Sequence, residues 1–287
     1  MRAPFAVVTM VYNEPVFLPV WLRHYASQVG MAACHVIDHG SDDGSTSALP
    51  CNVLRLPRSP QDDARRTRMI GLFCASLLEW YEAVIYCDVD EILVADPALY
   101  GSLTELSQAR PAPCLTATGF DLLHRVTVEP ALDFSAPILA QRSALRFSAA
   151  MCKPCLIREP VTWSPGFHSI REDLPNPNPA LMLFHLRYCD VDEGLKRLAR
   201  TRTQPWCSED AGAHQRMLDE PWREMLGNMA GLPFQPATLG EEDPALRPWR
   251  ERLIREGKER AHDPYPIDLG LSGDRLWAVP ERFKTQF

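Results

Sequence analysis

Three acids close together, Asp88, Asp90 and Glu91, follow the apolar run Ala83-Val84-Ile85 by way of Tyr86-Cys87. A β-branched run that ends abruptly in acids reads as a buried strand over 83–91, delivering carboxylates to a sheet edge. Alternate residues of a strand share a face, so Asp88 and Asp90 are expected to converge on one cation. Oxygen ligands of this kind suit Mg2+ or Mn2+ held jointly with substrate phosphates. Two further polar clusters precede them: Asn13-Glu14, and the run Asp38-His39-Gly40-Ser41-Asp42-Asp43-Gly44-Ser45.

The segments around these clusters predict the elements that position them. Phe5 to Val11 is a continuous apolar run, as expected of a strand covered on both faces. Asn13-Glu14-Pro15 reads as a helix opening, Leu18, Leu22, Tyr25 and Val29 repeat at helical spacing, and Gly30 reads as the cap. Cys34 to Ile37 predicts a second strand and Asn52 to Leu56 a third. Ser59-Pro60-Gln61-Asp62 predicts the start of a long helix reaching about Tyr81, with Ile70, Phe73 and Leu77 inward. Strand, helix, strand, strand, helix, strand in this order argues for an α/β fold with a mostly parallel mixed sheet and helices on both faces. Ligands of such sheets bind at the carboxyl ends of the strands, and all three polar clusters fall there.

Later segments are less regular. Ser102 opens a short helix, and 114–123 reads as a strand containing Gly119. The pattern over 137–170 is strand-like with turns, and 171–179 is a proline-punctuated loop. Residues 180–187 form an apolar strand carrying His185 and Arg187, and Asp190 caps the helix that follows. Beyond about 201 prolines break the chain. The organisation expected is one domain over 1–200, with a nucleotide half at 1–95 and an acceptor half at 96–200, then an irregular C-terminal extension over 201–287 with short helices such as 247–260. That last helix is basic and carries Trp249, Leu253 and Ile254; it reads as a solvated helix docked by three apolar residues, with a membrane-surface helix as the alternative.

The 287 residues are 46% hydrophobic with a net charge of −7, enough for a large α/β core and without a basic stripe, so nucleic acid is not an expected partner. Nine cysteines, an odd number scattered through apolar segments, read as reduced thiols. Cys152 and Cys155 lack the second pair a zinc site needs. No signal-peptide pattern and no run of ~20 apolar residues is visible. A cytoplasmic protein is expected, with peripheral contact at the inner face of a membrane left open and no oligomeric state implied.

Taken in order, Val11-Tyr12-Asn13-Glu14, Phe17 to Tyr25 (FLPVWLRHY), Asp38 to Ser45 (DHGSDDGS) and Asp88-Val89-Asp90-Glu91 resemble the family-2-like glycosyltransferases of the GT-A fold. The resemblance covers roughly 5–190. It implies a GT-A-type Rossmann-like fold, a nucleotide-diphosphate sugar as donor, a glycan or glycoconjugate acceptor, and Mn2+ or Mg2+ on Asp88 and Asp90, with a late histidine completing the metal or diphosphate site. His168 and His185 are the candidates for that histidine. It also places the nucleoside in the loop after the second strand, at Asp38 with Asp42 and Asp43, and counts Asn13 and Glu14 among the donor-binding residues, with transfer inverting by analogy.

Other residues carry weaker signals. Arg187 is a candidate for the diphosphate. One of Arg65, Arg66 and Arg68 is expected to touch the nucleotide, with Arg65 and Arg68 taken forward; Lys153 has similar standing. For the base that activates the acceptor, Asp121 and the Glu172-Asp173 pair are candidates, with Asp173 taken forward; Glu209, Asp210 and His214 are more remote. Two alternatives remain. A nucleotidyltransferase would carry a glycine-rich basic loop after the first strand, where Val11 to Glu14 is acidic and glycine-free. A non-catalytic binding module on the same fold would have lost acids that are present.

Overall fold

The computed structural model describes residues 3–209, 212 and 215–287. Asp210 and His214 lie outside them. Strands β1 (Ala3–Val11), β2 (Cys34–Asp38), β3 (Asn52–Arg55) and β4 (Tyr81–Tyr86) run parallel in the order β3-β2-β1-β4. Side chains alternate across β1. Phe5, Val7 and Val11 pack with helix α1 (Phe17–Val29) on one face, and Ala6 and Val8 pack with the inward side of α2 (Asp63–Leu77) on the other. Burial on both faces is what makes the run continuously apolar.

Beyond β4 the sheet becomes mixed. The next strands are β5 (Glu91–Ala95), β6 (Cys114–Leu123), β7 (Ala144–Phe147), β8 (Pro154–Ile157) and β9 (Pro177–His185). β8 runs antiparallel to both β4 and β6, while β9 lies between β5, antiparallel, and β6, parallel. Helices α3 (Leu103–Ala109), α4 (Ile138–Gln141) and α5 (Val191–Thr203) connect and cover these strands. The result is a mixed α/β fold on an eleven-stranded sheet flanked by helices. Gly119 in β6 is required by close approach, since a Cβ there would stand 2.2 Å from the carbonyl carbon of Met151.

The last 87 positions contribute α6 (Asp219–Ala230), β10 (Phe234–Gln235), α7 (Arg247–Glu259) and β11 (Leu276–Ala278). β11 pairs with β7, and Trp277 packs on Phe120 and Phe147. Leu253 of α7 is buried and Trp249 stacks on Phe147 at 5.3 Å. The Arg282 guanidinium forks onto Asp96 at 2.7 and 2.9 Å. All nine cysteines are free thiols. Among the described residues no helix is long and apolar enough to cross a membrane.

Three local expectations change. Asn13 does not cap α1: the helix starts at Phe17, and Val16 before it makes no side-chain cap. α2 is capped by Asp62, whose carboxylate accepts from the Arg65 N–H at 2.9 Å, and not by Ser59. The 83–91 strand is two strands, β4 ending at Tyr86 and β5 starting at Glu91, with Asp88 to Asp90 in the turn between them, closed by the Glu91 N–H donating to the Asp88 carbonyl at 2.9 Å. Charged side chains need polar partners when buried, and the turn lets Asp88 and Asp90 reach different ones.

Candidate active site

The carboxyl ends of β1, β2 and β4 meet at one edge, and side-chain bonds tie their loops together. Asn13 donates through Nδ2 to Asp42 at 2.7 Å, and its Oδ1 accepts from the Asp42 N–H at 2.9 Å. The backbone N–H groups of Asn13 and Glu14 donate to the hydroxyls of Ser41 and Ser45. Asn13 adopts φ 50°, a left-handed conformation that asparagine tolerates better than most residues. Asp38 accepts from the Ser41 N–H (2.7 Å), Thr46 (2.9 Å) and Arg55 (2.6 Å). Burial pushes its pKa up, but these partners outweigh burial and hold the carboxyl below its ordinary value. Its visible work is to shape the 39–46 loop. Beside this loop, the Arg58 guanidinium lies 3.7 Å over the Tyr12 ring and reaches His39 and Gln204.

The third cluster is an alternating network of acids and cations. Asp88 is bonded by Arg66 and by the Tyr86 hydroxyl (2.8 Å), with the Lys153 ammonium at 3.6 Å. Lys153, buried at 3% exposure, donates to Glu91 at 2.5 Å. Asp90 Oδ2 accepts from Arg197 at 2.5 Å and faces His185 Nε2 at 3.6 Å. His185 Nδ1 lies 2.7 Å from Asp121. Arg197 also meets Glu14 at 3.2 Å, and Arg200 joins Glu14 (3.4 Å) to Glu193 (3.6 Å).

These contacts set the charge states. Burial raises the pKa of Asp88 and Asp90, yet Arg66 and Lys153 on the first, and Arg197 and His185 on the second, more than reverse it and keep both ionised. For His185 burial is outweighed by its hydrogen bond with Asp121 and by the Asp90 carboxylate facing it, which carry its pKa up to about 9. Glu91 is pushed up by burial, with Lys153 opposing. Lys153 is held above its ordinary value because Glu91 and Asp88 outweigh burial.

Of the residues expected at the site, the structure joins Glu14, Asp90, His185 and Asp121 in one network and places Asp88 in a neighbouring one with Arg66, Lys153 and Glu91, with Asp38 at the end of β2 and Asn13 and Asp42 in the adjoining loops. β9 explains part of this: His185 is in register with Glu91 on one side and with Asp121 on the other. His168 is bonded elsewhere, its Nδ1 2.8 Å from the Ala150 carbonyl, and shares a narrow void of about 10 Å3 with Asp173. Arg65 and Arg68 lie on the exposed face of α2. Arg187 lines a cavity of about 70 Å3 with Arg197 and Trp222.

The site's cations were under-read in the sequence. Arg66 stands four residues before Ile70 and eight before Cys74, the inward face of α2, and that spacing singles it out from Arg65 and Arg68. Glu193, Arg197 and Arg200 form an i, i+4, i+7 stripe on α5, and this too is visible in the sequence. Nothing in the local pattern around Lys153 shows that it faces Glu91, because that contact depends on where β8 pairs.

Among the described residues no three His, Cys, Asp or Glu side chains stand together as a preformed metal cage. Asp88 and Asp90 each leave one carboxylate oxygen outside the tight ion pair, the oxygen-donor chemistry that Mn2+ or Mg2+ takes. Each uses one oxygen for its tight ion pair: Oδ1 of Asp88 is held by Arg66, and Oδ2 of Asp90 by Arg197. Asp88 Oδ2 has only Lys153 at 3.6 Å, and Asp90 Oδ1 takes no part in the Arg197 or His185 contact. Mg2+ commonly takes one or two protein carboxylates and completes its shell with water and phosphate. In this arrangement both His185 nitrogens face carboxylates, so the ring offers a cation no lone pair.

No protein-family model matches the chain, and no curated protein matches it. Among solved structures it is similar to a mannosyltransferase from Pyrobaculum calidifontis in complex with GDP-Man and Mn2+, at 20% identity and a TM-score of 0.27, over 47% of this chain and 38% of that one. The match thus spans well under half of that protein's length.

Proposed function

We propose that the chain is a metal-dependent glycosyltransferase that moves a sugar from a nucleotide-diphosphate donor to an acceptor hydroxyl, in the synthesis of a surface glycan or glycoconjugate. The observation that carries this reading is the meeting of Asn13-Glu14, Asp38–Asp42 and Asp88–Glu91 at the carboxyl edge of three parallel strands. That edge is where doubly wound sheets bind nucleotides. The family resemblance of these same three motifs supports it.

Asp88 and Asp90 would hold the divalent cation, which when bound neutralises charge developing on the departing diphosphate. The chain's own part is to keep both carboxylates ionised and aimed, through Arg66, Lys153 and Arg197. The loop joined by Asn13 and Asp42 borders the nucleotide. Transfer forms a bond from the acceptor oxygen to the anomeric carbon as the bond to the diphosphate oxygen breaks. The hydroxyl proton passes to a carboxylate, and Asp121 is assigned that role because it shares the network while Asp173 faces a separate void.

Thermal-shift measurements with nucleoside diphosphates and nucleotide sugars, with and without Mn2+, test the donor class. One nucleotide should stabilise the protein only with the metal, by about 2.7 kcal/mol at a hundredfold excess over Kd. Asp90→Asn should fold yet lose both this response and turnover. Full turnover by that variant, or by the wild type in a chelator, refutes the metal's role.

A further inference from the structure

Arg197 occupies the carboxylate on which the cation is expected. Its Nη1 is 2.5 Å from Asp90 Oδ2 and its Nε 3.2 Å from Glu14 Oε2, so one guanidinium bridges the third acidic cluster to the first. The group lies 4.8 Å from the Phe17 ring centre, and its side chain is 23% exposed. It is held by three pieces of the chain but has an open side. The backbone beneath it is fixed: Asp190 caps α5 through the Asp192 and Glu193 N–H groups, and Leu198 packs in one cluster with Trp222. Movement at this point therefore belongs to the side chain and not to the helix.

A divalent cation and a guanidinium on the same carboxylate repel each other at close range, through a poorly hydrated site that screens weakly. The cost falls if the guanidinium gains an anion as it leaves, and the diphosphate of a donor brings one to the cation's side. We infer that Arg197 couples the two ligands: it holds Asp90 and Glu14 in the donor-free protein and transfers to the diphosphate when the cation takes Asp90. This inference rests on the donor reading above. Its consequence is mutual. Mn2+ alone binds weakly against Arg197, the diphosphate alone finds Arg197 engaged, and each strengthens the other, as linkage requires.

The test measures Mn2+ binding to the full chain by loss of the free-ion EPR signal, for the wild type and Arg197→Gln. It is done without nucleotide and with whichever of ADP, CDP, GDP or UDP stabilises the wild type. Removing the competing charge should tighten Mn2+ alone by about tenfold or more. The enhancement of Mn2+ affinity by the nucleotide should shrink by a similar factor. A residue that only braces the fold gives the opposite sign, with weaker Mn2+ binding in the variant. Equal or weaker Mn2+ affinity in Arg197→Gln, with the wild type binding normally, overturns the coupling and leaves the donor reading intact. Absence of Mn2+ binding by both proteins, with every nucleotide, removes the donor reading and the coupling with it. Should Arg197→Gln not fold, Arg197→Lys carries the test. It keeps the charge but cannot span Asp90 and Glu14, so Mn2+ alone should bind more tightly than to the wild type; an affinity equal to or weaker than the wild type's overturns the coupling.

Discussion

Replacing Lys153 by methionine should cost more than any other single change in the acid network. Its ammonium is buried, 2.5 Å from Glu91 and 3.6 Å from Asp88, and its backbone is pinned by the Ala117 N–H donating to the Lys153 carbonyl at 2.9 Å. At an effective dielectric of about 20 the two attractions are worth roughly 7 and 5 kcal/mol before desolvation. Burying the ammonium cancels much of that, so the pair itself adds little to stability. Breaking it is different, because Glu91, itself buried at 3% exposure, loses its counter-ion and must either stay charged without a partner or take up a proton. The expected loss is about 3–5 kcal/mol at neutral pH. Urea unfolding followed by tryptophan fluorescence measures it. Adding Glu91→Gln to Lys153→Met removes the orphaned charge and should restore at least half of the loss, giving a coupling energy above about 2 kcal/mol. A single-variant cost below about 1 kcal/mol, or a double variant no better than the single, refutes the account.

Two further outcomes follow from residues that tie the ends of the chain to the sheet. His24 is buried in α1 with its ring nitrogens facing the carbonyls of Leu93 (2.8 Å) and Gln286 (3.4 Å), and burial drives its pKa down to about 4. The unfolded chain therefore takes the proton first as pH falls. The contribution of His24 is complete above about pH 6.5, declines by about 1.4 kcal/mol per pH unit below it and levels off near its folded value, a loss of about 3 kcal/mol. Urea midpoints of the wild type and His24→Gln should converge as pH falls through that window; parallel curves would show that His24 does not titrate on unfolding. Arg282→Ala removes the fork on the buried Asp96 and should cost about 2–3 kcal/mol. It should also speed proteolysis after residue 280, and an unchanged cleavage pattern would show that Phe283 and Phe287 hold the terminus unaided.

The first half of the sheet was legible in the sequence because its signals are local. β1 reads as a strand because it is apolar on both faces, α1 because its apolar positions repeat, and the polar clusters fall where those elements end. The errors there have one physical origin: polar residues at element ends have several possible partners. Asn13 has the chemistry of a helix cap, but a loop 29 residues further along supplies Asp42, whose carboxylate and N–H engage the Asn13 side chain instead. Asp88 to Asp90 have strand-like surroundings, but a strand would fix both acids on one face. The turn sends Asp88 toward α2 and Asp90 toward α5. The second half was less legible because its strands are short and pair out of sequence order. β8 sits between β4 and β6, and β9 between β5 and β6, arrangements that no local pattern encodes.

This asymmetry bears on how the site is assembled. Glu14, Asp88, Asp90 and Glu91 come from the first hundred residues, yet three of the cations that pair with them, Lys153, Arg197 and Arg200, arrive much later. Arg197 is separated from Asp90 by 107 positions and Arg200 from Glu14 by 186. Until α5 docks, Asp90 and Glu14 lack their guanidinium partners, and burying carboxylates without them opposes closure of the edge. Docking of α5 depends in turn on Trp222 of α6, which packs in one cluster with Leu198, and on the strands that place His185 beside Asp121. The C-terminal third is therefore part of the site's electrostatics. A chain cut before α5 would keep every motif of the family resemblance and still lack Arg197, the guanidinium that joins Asp90 to Glu14.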